Sequence, residues 1–151
     1  MMNEDIIADR PITMAVLHCS DTYSSMDIGA KEIDRWHRDN GWSGCGYHFV
    51  ITKNGTIEKG RSIHKSGAHA KGYNVGSIGI CYVGGRSDND KPVDDRTPEQ
   101  KRSIAALIIN LQTIYPDIIV KGHNELSGGK KSCPNYDVQK DEKSYVDYLF
   151  L

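Results

Sequence analysis

Ile12-Thr13-Met14-Ala15-Val16-Leu17-His18 is an apolar run closed by one titratable side chain, and it reads as a buried strand. Asp27 is placed to cap a helix over residues 28–40, with Ile33 and Trp36 on one face and Gly41 ending it. Residues 47–51 and 56–59 flank Asn54-Gly55, the signature of a type I′ hairpin, so these two arms are expected to be antiparallel. Residues 77–83 form a further strand bracketed by Gly76 and Gly84-Gly85, and a polar loop follows over 86–96. Thr97-Pro98-Glu99-Gln100 combines an N-cap, a first-turn proline and a capping-box partner. Behind it, Ile104, Leu107, Ile108, Leu111, Ile114 and Tyr115 recur at helical spacing until Pro116. A short strand at 118–122, a Gly-rich loop to Tyr136 and a terminal helix near 144–150 complete the pattern. The expected fold is α/β: a single mixed, mostly parallel sheet of about five strands, the second antiparallel, flanked by helices.

At 151 residues and 38% hydrophobic content the chain is sized for one domain with a real core. The net charge of −1 provides no overall field for nucleic acid, and the longest purely apolar run, 104–109, is far too short to span a bilayer. The opening Met1-Met2-Asn3-Glu4-Asp5 is acidic where a secretory signal is basic, which predicts synthesis into the cytoplasm. In that compartment Cys19, Cys45, Cys81 and Cys133 are expected as thiols or ligands rather than disulfides. Cys19 and Cys81 read as buried small hydrophobes, and Cys45 as a loop thiol.

His18 closes the first strand, His123 the last, and Cys133 follows in a loop with Gly128, Gly129 and Pro134. Sites in open α/β sheets gather at the carboxyl ends of parallel strands, so the three side chains can form a tripod. Two imidazoles and a thiolate suit one zinc ion with a fourth position left for water. The spacing alone also admits a second reading, Cys133 as nucleophile and His123 as base with Asn124 orienting it, and metal analysis separates the two. If only the second strand is reversed, its first residue, Tyr47, lies beside the end of the first strand. Alternation then turns His48 to the other side of the sheet, in a structural role, while His37 and His64 read as surface or packing residues.

Val16-Leu17-His18-Cys19-Ser20-Asp21-Thr22, Gly46-Tyr47-His48-Phe49-Val50-Ile51, Asn74 with Ser77-Ile78-Gly79-Ile80-Cys81, Gly122-His123 and Lys131-Ser132-Cys133-Pro134 together resemble the zinc-dependent N-acetylmuramoyl-L-alanine amidases. This type 2 amidase family shares its fold with the peptidoglycan recognition proteins. Within it the chain is most similar to the small amidase lysozymes of short-tailed phages. The resemblance runs from about Ile12 to Asp137 with the motifs in order. It implies His18, His123 and Cys133 as zinc ligands, Tyr47 and Lys131 as catalytic residues, and His69, Asn74 and Ser77 near the substrate groove. Each of those last three can instead serve as a turn or loop residue making local hydrogen bonds. A cysteine in the third ligand position matches the catalytic members, where many relatives carry a carboxylate.

The resemblance implies hydrolysis of the amide between N-acetylmuramic acid and L-alanine in peptidoglycan, by a phage or prophage endolysin that reaches the periplasmic wall through a separate pore. A host enzyme recycling muropeptides and a non-catalytic peptidoglycan-binding protein are the alternatives. A glycosidase is disfavoured, because no acidic pair accompanies the motifs. One amidase domain is expected, with residues 1–11 as an N-terminal segment and 12–151 as the catalytic core, acting as a monomer without nucleic acid or membrane insertion. Phage amidases of this kind also inhibit a single-subunit phage RNA polymerase through a surface that includes the N-terminal segment. Residues 1–10 do not match that segment, so the inhibition is not carried over; a polymerase-inhibiting protein stays among the alternatives, and a pull-down and transcription assay with a phage-type RNA polymerase as partner decides it.

Overall fold

The computed structural model describes residues 3–151; Met1 and Met2, which open the N-terminal segment, lie outside the described residues. Seven strands are described: β1 (Met14–Cys19), β2 (Thr22–Tyr23), β3 (Phe49–Ile51), β4 (Ile57–Lys59), β5 (Ser77–Tyr82), β6 (Gly85–Arg86) and β7 (Ile119–Gly122). The helices are α1 (Ala30–Asp39), α2 (Pro98–Ile114), α3 (His123–Leu126), α4 (Val138–Glu142) and α5 (Tyr145–Tyr148).

The main sheet runs β4-β3-β5-β1-β7, and β2 with β6 forms a small parallel pair beside it. Strands β3, β5, β1 and β7 are mutually parallel, so the mixed, mostly parallel α/β fold is as expected. The reversed strand is different, however: β3 is parallel to β5, and β4, the outer arm of the hairpin, is the antiparallel one. The hairpin turn also departs from type I′. Gly55 N–H donates to Thr52 O and Thr52 N–H to Thr56 O, with positive φ at Gly55 (+88°) and not at Asn54. This is a three-residue connection in which the left-handed glycine forms a bulge. A side chain at Gly55 would also strike the backbone of Glu99, so the turn sits tight against α2.

Helix α2 begins as its sequence dictates. Thr97 Oγ1 accepts from Gln100 N–H, and the Gln100 side chain accepts from Thr97 N–H. The Gln100 amide then donates to Ile51 O and Val83 O, tying the helix start to the ends of β3 and β5. Helix α1, by contrast, is not capped by Asp27. Its N-cap is Gly29, and Glu58 of β4 reaches across to accept from Ala30 N–H at 2.8 Å.

Ala15, Leu17, Phe49, Ile51, Ile78, Ile80 and Tyr82 point to one face, where Ile104, Leu107, Ile108 and Leu111 of α2 cover them. The intervening residues Val50 and Cys81 face the other way and pack with Val83, Cys45 and Ile33 of α1. The described part of the N-terminal segment packs on this body: Ile6 is buried in the α2-side core, and the Tyr115 hydroxyl accepts from Ala8 N–H and donates to Ile6 O. Cys19, Cys45 and Cys81 are buried free thiols. No helix among the described residues is long and apolar enough to cross a membrane.

Candidate metal centre

β1 and β7 are parallel neighbours with Leu17 opposite Gly122, so the next residue on each, His18 and His123, emerges at the same carboxyl end of the sheet. Their ring centroids lie 4.7 Å apart. Cys133 arrives from the loop between α3 and α4, with its Sγ 3.8 Å from His18 Nδ1. One ligand atom from each of His18, His123 and Cys133 falls within 4.8 Å of the others. Metal–nitrogen and metal–sulfur bonds of about 2.0 and 2.3 Å at tetrahedral angles put donors roughly 3.3–3.8 Å apart, so a small contraction seats a divalent ion. The donor set, two imidazoles and one sulfur, has zinc chemistry, and the residues present fit such an ion.

Each donor is held. Cys19 N–H donates to Cys133 Sγ at 3.2 Å, which fixes where the sulfur points. The Cys133 loop is pinned by Asn124 N–H to Cys133 O and by the Tyr82 hydroxyl to Pro134 O, both 2.8 Å. Asn135, at φ +72°, sends its amide to Gly85 O and Val93 O. Gly122 N–H is taken by Glu125 Oε1, which fixes the turn that starts α3 at His123. Burial, helped by His69 and His123, holds His18 far below the usual imidazole range, and burial followed by the Lys131 ammonium lowers His123. Both rings are therefore neutral near pH 7, the state that a metal ligand needs.

Tyr47, Lys131, His123 and Cys133 line one cavity of about 300 Å³, together with Ser20 and Arg86. The Tyr47 ring stands 5.1 Å from that of His18. Loss of hydration around its phenol, with Cys81 and Cys133 nearby, pushes its pKa well above 10, so it carries its proton. The expectation that a reversed strand brings Tyr47 here needs correcting: Tyr47 lies just ahead of the parallel strand β3 and reaches the site from there. For the same reason His48 does not face away from it. His48 precedes Phe49 in the strand's alternation and turns to the α1 side, where its ring is 6.0 Å from His69. Its role is structural: Nδ1 accepts from Gly79 N–H at 3.0 Å and Nε2 bonds Lys65 O at 2.7 Å.

His69, Asn74 and Ser77 are brought together at the opposite edge of the His18 ring from Cys133. His18 Nε2 is 2.8 Å from His69 Nδ1, and His69 Nε2 is 3.1 Å from Ser77 Oγ. Asn74 Oδ1 accepts from the backbone N–H groups of His69 and Ala70. Asn74 Oδ1, both ring nitrogens of His69 and the Ser77 hydroxyl are thus engaged within the chain, and Ser77 is 1% exposed. His37, half-buried, accepts from Gly46 N–H through Nδ1, while His64 is exposed beside Asp9.

Residues 8–136 match the family described as N-acetylmuramoyl-L-alanine amidase. The chain is 41% identical over 124 residues to an endolysin of Escherichia phage T7, covering 82% of this chain and 81% of the relative. It is 40% identical over 132 residues to an endolysin of Enterobacteria phage T3, covering 87% and 86%. Among solved structures it is similar to the endolysin N-acetylmuramoyl-L-alanine amidase LysCS from Clostridium intestinale, with a TM-score of 0.75 at 30% identity over 91% of this chain and 85% of the other. With its donor tripod at the carboxyl ends of adjacent parallel strands and most of its length matched, the chain belongs to the N-acetylmuramoyl-L-alanine amidase family.

Proposed function

We propose that the chain is a zinc-dependent N-acetylmuramoyl-L-alanine amidase acting as an endolysin, which cuts the bond between N-acetylmuramic acid and L-alanine in peptidoglycan. The observation that carries this reading is the convergence of one donor atom each from His18, His123 and Cys133, the last two lining a cavity that also holds Tyr47 and Lys131. The identity to phage endolysins over most of both chains supports a phage or prophage role over a host recycling one. Access to the periplasmic wall through a separate pore is part of the proposal.

His18, His123 and Cys133 would hold the ion. When bound, zinc acidifies a coordinated water towards a pKa near 7 and polarises the scissile carbonyl. The chain supplies the rest. As charge builds on the carbonyl oxygen, the protonated phenol of Tyr47 and the ammonium of Lys131 stabilise it; one such donor typically contributes about 3 kcal/mol to the barrier. The amine of L-alanine leaves with a proton, for which the same phenol and ammonium are the carriers.

The test digests purified sacculi with the wild type, Cys133→Ala and Tyr47→Phe, measuring bound zinc and new amino termini together. Cys133→Ala is expected to lose both metal and activity. Tyr47→Phe is expected to keep its zinc and lose activity by roughly 100-fold. New reducing sugar ends in place of freed L-alanine amines would overturn the assigned bond. A strong preference for soluble muropeptides over sacculi would favour the recycling role.

A further inference from the structure

The contacts behind His18 form a one-way chain. An imidazole that ligates through Nδ1 carries its proton on Nε2, and His18 turns Nδ1 to Cys133 and Nε2 to His69. His18 Nε2–H then donates to His69 Nδ1, which leaves the His69 proton on Nε2, facing Ser77 Oγ. The serine hydroxyl completes the run towards Asn74 O at 3.5 Å. Every donor meets an acceptor in this arrangement, and reversing any one ring would put two protons or two lone pairs face to face.

The backbone is shaped around the His69 ring. At Gly79 of β5 an added Cβ would lie 2.7–2.9 Å from three ring atoms, and at Gly67 it would lie 2.5 Å from Cδ2. The two glycines therefore leave room for the imidazole between the 60s loop and the sheet. The Asn74 side chain grips the backbone on either side of it. The His18 and His69 rings meet edge to face at 89°, with centroids 4.9 Å apart. At His18, which is 1% exposed, a lost partner for Nε2 would not be replaced by bulk water.

We propose that His69 is a positioning residue for the metal centre: with Ser77 behind it, it fixes the tautomer and ring plane of His18 so that Nδ1 is presented to the ion. This rests on the zinc reading above and assigns His69 and Ser77 to the ligand rather than to the substrate. Partners of this kind typically change metal affinity 10- to 100-fold.

The experiment measures zinc affinity by competition with a chromophoric chelator, and the visible spectrum of the cobalt(II)-loaded protein, for the wild type, His69→Leu, His69→Asn and Ser77→Ala, with thermal unfolding of each. His69→Leu is expected to weaken zinc by about 10- to 100-fold and to shift the cobalt bands. His69→Asn places an amide oxygen where Nδ1 lies and is expected to restore most of the affinity and the wild-type spectrum. Ser77→Ala leaves the ring in place, is expected to weaken zinc several-fold, and decides the matter if the leucine variant does not fold. Equal losses in the leucine and asparagine variants, or unchanged affinity in folded Ser77→Ala, would overturn the inference alone. A wild type that binds no zinc would overturn the metal reading together with it.

Discussion

One face of the central sheet presents Leu17, Phe49, Ile51, Ile78, Ile80 and Tyr82 to α2, and the other, from the same strands, presents His18, His48, Val50, Ser77, Gly79 and Cys81 to α1 and the 60s loop. Both layers are buried: His18, His48 and Ser77 are as little exposed as the leucines opposite. Burial therefore does not distinguish them. On the α2 side the cohesion is non-directional and scales with apolar area. On the α1 side both ring nitrogens of His48 and of His69, and Nε2 of His18, have named partners, so cohesion there depends on direction. The apolar layer brings the strands together, and the polar layer decides where one nitrogen of His18 points.

The strongest way to break this division is Leu107→Ala on the α2 side. Removing a fully buried leucine should cost roughly 2–5 kcal/mol in urea unfolding, while zinc affinity of the folded protein stays at the wild-type value. A parallel fall in affinity would show the layers to be inseparable. Acid addresses the other layer. Burial, the largest influence, takes His48 down to about 4, so between pH 6.5 and that value the native chain binds fewer protons than the unfolded one. Stability should therefore fall as pH drops through this window, by on the order of 3 kcal/mol below it. Urea titrations at several pH values check the slope; burial takes His69 down to about 3 and adds to it in the same sense, so His48→Asn, which keeps an acceptor for Gly79 N–H, should reduce the slope by the His48 share without removing it. The smallest effect is expected at Tyr82→Phe, because Tyr82 belongs to the apolar face yet its hydroxyl holds Pro134 O beside Cys133. Losing that bond should cost about 1 kcal/mol of stability and weaken zinc slightly, which would measure how far the first layer reaches into the site.

The parts legible in the sequence are those whose cause is local. Thr97 to Gln100 carries its own capping chemistry, and α2 starts where that chemistry says. His18 and His123 close strands of a parallel sheet, so their meeting follows from topology. Parts decided by distant segments were not legible. The cap of α1 comes from Glu58 on β4, across the hairpin, and Asp27 is left out of it. The face taken by His48 depends on Tyr47 standing outside β3, a shift of one residue that periodicity does not resolve. Helices α3 and α4 are too short to show a helical period. No spacing rule joins His69 to His18, and the signal available was a negative one: Gly67 and Gly79 are bare where a side chain would fill the room that an imidazole takes.

Of the three proposed ligands, His18 comes early in the chain and His123 and Cys133 more than a hundred residues later, yet β1 and β7 run side by side. An ion there would fasten the strand β1 to the start of α3 and to the loop that follows it, a clasp that shuts only when nearly everything between has been laid in place. No fragment lacking either terminal third carries the donor set. Whatever free energy the ion gives up on binding is then returned as resistance of the entire body to unfolding, about 4 kcal/mol at a thousandfold excess over its dissociation constant.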